Sequence, residues 1–268
     1  MTPAFNAAAT LRESVASIQA QTFEDLEILV IDDGSTDATL DVAHALAADD
    51  PRVRVFHNPE NVGIAASRNR CVAEASAELV AWQDADDISM PRRIEQQLAV
   101  LDGDPQVGMV GGFLLFFGAG PPSVRRYAAD DATIRAQIFR HSPVAQPAAM
   151  LRRAALEAAG PYSSRFEPAE DLDMAFRIGV GAQFANVQDV VLRYRESTTS
   201  ATARRLRKIE QDTLRIRWAA RKLGYRMTAG DLAYNVAQAL SMPMPPAARM
   251  ALFKRLRNEV PTSVGDPG

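Results

Sequence analysis

Two acidic clusters each follow a short apolar run, and this arrangement constrains the fold more than any other feature of the chain. Residues 32–37 (Asp-Asp-Gly-Ser-Thr-Asp) follow the run 26–31, and residues 84–87 (Asp-Ala-Asp-Asp) follow the run 79–82. Continuous apolar runs of this length are typical of strands buried in a parallel sheet. Ligands bind to open α/β sheets where the carboxyl ends of such strands enter loops. The two clusters therefore predict one site, for a nucleotide and a metal ion, at the edge of a sheet.

The first hundred residues alternate helical and strand patterns, which predicts an α/β fold with a doubly wound sheet. Apolar residues recur at helical spacing over residues 11–18, and Asn6 is the N-cap that we expect for this helix. The second half of the chain is less regular. There we expect two short strands, over residues 184–187 and 190–194, and helices from residue 201 onward.

The composition is that of an ordinary globular chain, with 47% hydrophobic and 24% charged residues among 268. Lys and Arg number 30 against 33 Asp and Glu, and this balance gives no reason to expect nucleic-acid binding. Cys71 is the single cysteine, so an intramolecular disulfide is excluded. The longest apolar stretch is too short to span a bilayer. We therefore expect a cytoplasmic protein without a spanning segment.

Each acidic cluster has a functional and a structural interpretation. Asp84 and Asp86 lie in one turn, where two carboxylates can converge on a hard divalent cation such as Mg²⁺ or Mn²⁺. Three acids in a turn also commonly form a solvated loop or a helix cap. Asp33 can accept the imide N–H of a uracil or thymine base. Alternatively, its segment is a turn in which Gly34 takes positive φ and Asp37 caps the next helix, and both interpretations can hold together.

Several motifs, in order along the chain, resemble those of the family 2 glycosyltransferases, the inverting enzymes with the GT-A fold. The resemblance covers roughly residues 3–200 and rests on Pro-Ala-Phe-Asn at 3–6, Gln-Thr at 21–22, the acidic cluster at 32–37, Asn-Val-Gly at 61–63, Ser-Arg-Asn at 67–69, the acidic cluster at 84–87, Glu-Asp at 170–171 and Tyr-Arg at 194–195. It implies a GT-A fold, which is a Rossmann-like doubly wound mixed sheet flanked by helices, here with a C-terminal helical extension.

The resemblance also implies which residues bind the nucleotide sugar: Pro3, Phe5, Asn6, Asp33, Arg68, Asp84 and Ala85. Pro3, Phe5 and Asp33 would line the pocket for the base. Arg68 would approach the base or the diphosphate, and Asp84 would approach the ribose.

Two further roles follow from the same resemblance. Asp86 would be the main protein ligand of a Mn²⁺ or Mg²⁺ ion on the diphosphate, and Asp171 would be the general base. From the residues alone, the preferred interpretation of Glu170 and Asp171 is an acidic helix N-terminus favoured by the helix dipole.

The implied function is inverting transfer of a hexosyl or N-acetylhexosaminyl group to an acceptor hydroxyl. A UDP-sugar is the donor that we expect, and the acceptor is a saccharide or a lipid-linked molecule in surface polysaccharide or glycoconjugate biosynthesis. The alternative is a degenerate, non-catalytic protein that binds a sugar nucleotide or assists an assembly. Retention of Asp84, Asp86 and Asp171 argues for the enzyme.

The chain departs from the family pattern at its start and at two histidine positions. The family domain begins with an apolar strand, whereas only Met1 and Thr2 precede Pro3 here. We expect this strand to be missing or truncated, with the true start upstream or the reading frame shortened, so that neighbouring backbone groups lack partners. Gln146 and Ser197 stand where many relatives have His, so the full set of metal ligands stays open.

Residues 201–268 form the predicted helical extension beyond a catalytic domain at residues 1–200. Nine Lys or Arg residues lie between residues 201 and 226 against Glu210 and Asp212, with apolar residues interspersed. Such a helix can lie on an anionic membrane surface, which would hold a cytoplasmic enzyme at the inner face of the plasma membrane. The alternative, which we favour, is a helix packed on the catalytic domain with a solvated basic face.

Overall fold

The computed structural model describes residues 1–196, 200–244 and 259–261, with the backbone alone described for 200–206 and 259–261. It has the α/β architecture that the alternating pattern predicts, a mixed sheet with packed helices. Its parallel part has the strand order β1-β2-β3, and each strand is followed by a helix. These elements are β1 (Thr2–Ala4), α1 (Leu11–Gln19), β2 (Ile28–Asp32), α2 (Thr39–Asp49), β3 (Val53–His57) and α3 (Ile64–Glu74).

Strand β1 is present but only three residues long, and it pairs in parallel with residues 30–32 of β2. Met1 extends the pairing to β4 (Leu79–Ala81). The Met1 nitrogen donates to the Ala81 carbonyl at 2.8 Å, and the Met1 carbonyl accepts from the Gln83 N–H at 3.0 Å. The short strand therefore joins β2 to β4. Beside Met1, an apolar cavity of about 300 Å³ opens between β2 and β4.

The rest of the sheet continues in the order β4-β8-β6-β7-β10, with β9 parallel to β6 on its other side and β5 paired with β9. Its elements are β5 (Ile88–Ser89), α4 (Arg93–Gly103), β6 (Val107–Phe117), β7 (Ser123–Arg125), α5 (Asp131–Gln137), β8 (Met150–Arg152), α6 (Arg153–Ala159), α7 (Glu170–Ile178), β9 (Gln183–Arg195) and β10 (Glu259–Pro261). The two strands expected at 184–187 and 190–194 are one strand, β9. A register shift against β6 at residues 188–189 interrupts the apolar pattern without ending the strand.

The start of α1 differs from the sequence expectation. The helix begins at Leu11, so Asn6 lies too far upstream to be its N-cap. Asn6 instead takes φ +50°, a conformation that Asn adopts more readily than most residues. Its Oδ1 accepts from the Thr36 N–H at 2.8 Å, which joins the loops that follow β1 and β2. Asp37 is not the N-cap of α2 either, because that position is Ala38; Asp37 lies one residue before it, and its Oδ1 accepts from the Thr39 N–H at 3.0 Å.

The C-terminal helices share the core of the preceding domain. They are α8 (Ser200–Ala220) and α9 (Ala229–Ser241). Ile216 and Ala220 of α8 are buried in the main hydrophobic core, which also contains Trp82, Met109 and Phe176. The expected boundary at residue 200 therefore does not coincide with a gap in packing. In the part of the chain that the structure describes, no helix is long and apolar enough to cross a membrane.

Candidate active site

The first acidic cluster lies at the carboxyl ends of β1 and β2. The strand register pairs Ala4 with Asp32, so Phe5 follows beside Asp33, and the Asp33 N–H donates to the Ala4 carbonyl at 2.8 Å. Pro3 is buried within β1, whereas the Phe5 side chain is 47% exposed. An exposed aromatic ring at a sheet edge is a surface on which a flat base can stack.

Asp33 organises the loop that follows β3. Its Oδ1 accepts from Asn58 Nδ2 at 2.8 Å and from the Val62 N–H at 3.1 Å, and its Oδ2 accepts from the Gly63 N–H at 3.1 Å. A carboxylate has about four acceptor positions, so three bonds leave room for one more donor. Asn58 also donates to Ser67 Oγ at 3.1 Å, which links Asp33 to helix α3. Asp33 can therefore hold its loop and accept a base N–H together.

A buried polar network supports the second acidic cluster, which is the turn at residues 84–87. Ser14 Oγ donates to the Asp84 carbonyl at 2.8 Å, and Gln83 Nε2 donates to the Asp87 carbonyl at 2.7 Å. Arg93 is fully buried, and its Nη1 donates to Gln83 Oε1 at 3.0 Å. A buried guanidinium is tolerated only where its donors find acceptors. The network therefore fixes the backbone from which the acidic side chains project.

The three carboxyl groups of this turn differ in exposure. The Asp84 side chain is partly buried, Asp86 is exposed, and Asp87 is fully buried. Burial raises the pKa of Asp84, and partial loss of solvent around its carboxyl group raises that of Asp86 even though the residue is exposed. Burial together with the charge of Asp84 raises the pKa of Asp87 to about 9. Arg195 contacts the turn on this side, since its N–H donates to Asp87 Oδ1 at 2.8 Å and its Nε donates to the Asp86 carbonyl at 2.9 Å. Ala85 is buried and packs in the hydrophobic cluster that contains Ala4.

Arg68 joins this turn to the acidic pair at residues 170–171. Its guanidinium lies 3.7 Å from Asp84 Oδ1 and donates to Glu170 Oε1. It also lies over the ring of Trp82 at 5.5 Å and the ring of Tyr162 at 5.8 Å, in cation–π geometry. Although burial opposes its charge, the neighbouring carboxylates keep the pKa of Arg68 above its ordinary value. Three sequence-predicted segments thus meet at one buried cation.

Glu170 and Asp171 form the first turn of α7. Glu170 is buried, and this burial raises its pKa to about 7 despite the charge of Arg68. Asp171 is partly buried, and its Oδ1 accepts from the Leu172 N–H at 2.8 Å. Burial raises the pKa of Asp171, Arg68 opposes this effect, and the charge of Asp84 adds to it. A carboxylate whose pKa is raised toward neutrality is a stronger base than a solvated one.

Asp171 also lines a cavity of about 700 Å³ between the α/β part of the chain and helices α8 and α9. This volume lies within the range of about 300–1,000 Å³ that is typical of sites for small ligands. Tyr127, Tyr194 and Tyr234 are among its lining residues, with Arg126. Aromatic faces and planar polar groups suit a sugar ring, which has both apolar faces and hydroxyl edges.

The donor set of this region fits a divalent cation that is shared with a diphosphate. Within the described ranges, no three His, Cys, Asp or Glu side chains are grouped as a complete metal site. Mg²⁺ commonly binds through one or two carboxylates together with substrate phosphates. Asp84 and Asp86 can supply the carboxylates. Gln146 is buried, and its Nε2 donates to the Tyr162 hydroxyl at 2.8 Å, so its side chain packs in the protein interior beside the ring of Tyr162. Ser197 lies outside the described residues.

Sequence reasoning missed two residues that support the site, Arg93 and Gln83, and it named Glu170 without predicting its contact with Arg68. Arg93 and Gln83 hold the acidic turn, and Glu170 holds Arg68. Gln83 could have been noticed as a polar residue that directly follows an apolar strand and precedes Asp84. Arg93 gave no such signal, and the partner of Glu170 could not be predicted, because these partners are brought together only by folding.

Comparisons with known proteins agree with this architecture. Residues 1–160 match the model of the family described as "Glycosyl transferase family 2". EpsE from Bacillus subtilis (strain 168), a protein named as a glycosyltransferase, is 31% identical over 263 residues, which is 95% of this chain and 92% of EpsE.

Solved structures show the same fold at lower identity. S. aureus TarS (residues 1–349, in complex with UDP-GlcNAc) has a TM-score of 0.72 and 18% identity, covering 94% of this chain and 74% of that one. The mannosyltransferase PcManGT from Pyrobaculum calidifontis, in complex with GDP-Man and Mn²⁺, has a TM-score of 0.63 and 21% identity, covering 95% and 78%. These likenesses establish a GT-A fold for this chain.

Proposed function

This chain belongs to glycosyl transferase family 2, and we propose that it transfers a sugar, with inversion, from a UDP-sugar to the hydroxyl of a saccharide or lipid-linked acceptor. One observation carries the proposal. Arg68 connects Asp84, on the side of the nucleotide cluster, to the pair that contains Asp171, which opens into the large cavity. The proposed nucleotide region and the cavity thus meet at Arg68.

The nucleotide would bind along the edge formed by β1, β2 and β4. Phe5 would stack on the base, and the remaining acceptor position of Asp33 would take the base N–H. Asn6 and Pro3 would shape this pocket, while Asp84 and Ala85 would lie at the ribose. The bound UDP-GlcNAc of TarS supports a UDP donor, and the GDP-Man complex of PcManGT makes GDP the base to test next.

Asp86 would hold the divalent cation on the diphosphate, with Asp84 next to it in the same turn. A bound Mn²⁺ or Mg²⁺ would neutralise the negative charge that develops on the departing diphosphate. The Mn²⁺ complex of PcManGT supports a divalent ion. Arg68 is buried behind Asp84, and its positive charge opposes the effect of burial, which raises the pKa of this carboxyl group.

Asp171 would act as the general base. The acceptor hydroxyl, bound in the cavity, gives its proton to the Asp171 carboxylate while its oxygen attacks the anomeric carbon. The bond from that carbon to the diphosphate oxygen breaks, and its electron pair leaves with the nucleoside diphosphate. Attack from the face opposite the leaving group inverts the configuration, and no covalent sugar–enzyme intermediate forms.

The donor site is tested by calorimetric titration of UDP in the presence of Mn²⁺ and then of EDTA. We expect binding that depends on the metal and that weakens at least tenfold in Asp86→Ala, because the cation loses its main carboxylate. Asp102→Ala removes an exposed carboxylate from α4 and is the matched control, which should bind as the unsubstituted protein does. Equal binding by both variants would contradict the assignment of Asp86.

The catalytic role is tested by Asp171→Asn. Loss of a general base should lower kcat by about 10³-fold while nucleotide binding persists. Asp173→Asn is the matched control, since Asp173 lies in the same helical turn and pairs with Arg177 at 2.9 Å outside the cavity. Nucleotide binding by a folded protein that turns over no donor would instead favour the non-catalytic alternative.

A further inference from the structure

Helix α9 carries its polar residues inward and its apolar residues outward. Asp231, Asn235 and Gln238 are each less than 10% exposed, whereas Leu232 and Val236 are 47% and 48% exposed. A helix on the surface of a globular protein normally shows the opposite arrangement. The reversal needs a physical explanation at both faces.

The inward face is fixed by hydrogen bonds and an ion pair. Arg140 Nε lies 2.6 Å from Asp231 Oδ1. Arg217 Nη1 donates to Gln238 Oε1 at 2.9 Å and to Asn235 Oδ1 at 3.2 Å. Each of these buried polar groups has a hydrogen-bond or ion-pair partner. Rotating the helix to bury its apolar side would break all of these contacts. The orientation of α9 is therefore set from within.

The outward face is uniformly apolar. Leu232, Val236 and Leu240 recur every four residues along one side, and Leu240 is 75% exposed. The other exposed positions of the helix are 229, 230, 233, 237 and 239, and they hold only Ala and Gly. No charged or polar side chain therefore breaks the exposed side of this described helix. Contiguous apolar surface of this kind marks an interaction site.

The surroundings of this face are basic. Residues 207–244 contain seven Lys or Arg and three acids. Arg217 is buried, as are Asp212 and Asp231, and Lys208 and Arg215 pair with Asp212, so the charge beside this face comes chiefly from three of the remaining basic residues. Arg221, Lys222 and Arg226 are exposed in the connection that leads into α9. The chain as a whole has a formal charge of −3, so the positive charge is local.

We propose that the outward face of α9 lies on the surface of an anionic lipid bilayer. The apolar helix face can enter the acyl boundary of such a membrane, and the basic flanks can bind its anionic headgroups. A second copy of the chain fits less well, because a contact through the apolar stripe would cover Leu232, Val236 and Leu240 but would not account for the basic residues beside them. The contact differs from the expected one over residues 201–226, of which 201–206 have no described side chains.

The placement also restricts the acceptor, and this step rests on the proposed function. Tyr234 and Gln238 of the same helix line the cavity that contains Asp171. One helix thus has the cavity on one side and the bilayer on the other. An amphiphile with its saccharide in the cavity and its lipid in the membrane satisfies both, so the acceptor class is a lipid-linked saccharide.

Vesicle flotation with the full chain tests the proposal. We expect the protein to float with phosphatidylcholine vesicles that contain about 30% phosphatidylglycerol, and far less with phosphatidylcholine alone. Raising the salt to about 0.5 M should weaken binding, because it screens the basic flanks. Leu232→Ser, Val236→Ser and Leu240→Ser combined should lower the partition coefficient at least about tenfold.

Two controls separate this surface from general effects. Val180→Ser removes an apolar side chain that is 60% exposed elsewhere, and it should leave flotation unchanged. Lys222→Gln with Arg226→Gln should weaken binding to the anionic vesicles, whereas Arg12→Gln with Arg92→Gln, exposed at 58% and 65%, should not. Circular dichroism should show all variants folded, since each substituted side chain is exposed.

Absence of flotation by the unsubstituted protein would overturn the proposal, as would equal flotation by the triple variant. Self-association that the triple variant abolishes, without vesicle binding, would overturn it in favour of a second copy. UDP titration on the same samples separates the two proposals. Nucleotide binding without flotation refutes only the membrane face, and flotation without nucleotide binding refutes only the proposed function.

Discussion

Arg93→Lys should destabilise the protein and weaken its nucleotide site together. The Arg93 guanidinium donates to Trp82 O at 2.6 Å, Ser89 Oγ at 2.9 Å, Gln83 Oε1 at 3.0 Å and Gln97 Oε1 at 3.2 Å. Burial lowers the pKa of Arg93 to about 10, against the opposing charge of Asp87, so the site already tolerates a poorly solvated cation.

The magnitude follows from these four acceptors. A lysine ammonium is a point donor without the fork of a guanidinium, so we expect about two of the four bonds to be lost. An unsatisfied buried acceptor costs about 1–3 kcal/mol, which gives about 4 kcal/mol of lost stability. At about 2 °C per kcal/mol for a chain of this length, the Tm should fall by about 8 °C. Because Gln83 would lose its anchor, metal-dependent UDP binding should weaken about tenfold, or about 1.4 kcal/mol.

Thermal and urea unfolding followed by circular dichroism measure the stability, and calorimetry measures the binding. Arg92→Lys is the matched control, since the neighbouring Arg92 side chain is 65% exposed and pairs only with Glu95 on the surface in the described contacts. That substitution should change stability by less than about 0.5 kcal/mol. If Arg93→Lys behaved like Arg92→Lys, the buried network would not be what holds the acidic turn.

Two further changes test the surroundings of the site. Burial raises the pKa of Glu170 from 4.5 to about 7, so its stabilising contribution is complete below about pH 4.5 and is lost as the pH rises through 7. Urea unfolding at several pH values should therefore show that Glu170→Gln removes about 3 kcal/mol of the pH-dependent loss in the free energy of unfolding. The exposed Glu157→Gln should leave this loss unchanged, and parallel pH profiles for the two variants would contradict the assignment. Gly34 has φ +67°, and a Cβ there would lie 2.4 Å from the Glu60 carbonyl carbon, so Gly34→Ala should cost about 2 kcal/mol or more in thermal unfolding. Gly103→Ala, with nothing within 4 Å of its Cβ, should be neutral or stabilising, and a similar loss in both variants would count against a local clash.

Sequence alone determined the class of fold and predicted the location of the candidate site. Apolar runs followed by acidic clusters predicted parallel strands whose carboxyl ends meet, and the structure has Asp33 and Asp84 at that edge. This inference succeeds because strand burial and strand direction leave a local pattern in the chain. The family motifs then named Arg68 and Asp171, and the structure brings both to one cluster. Their roles in binding and catalysis stay predictions.

Other features depended on contacts between distant segments. Arg68 meets Glu170 across 102 residues, and no local periodicity encodes which carboxylate a buried arginine will find. The spacing of Leu232 and Val236 identifies an apolar stripe, but the stripe alone does not say whether it faces the core. Only the tertiary structure turns it outward, because the opposite side of α9 holds polar groups whose partners lie on other elements. Local pattern thus sets the elements, and the partners that folding supplies decide which face each element buries.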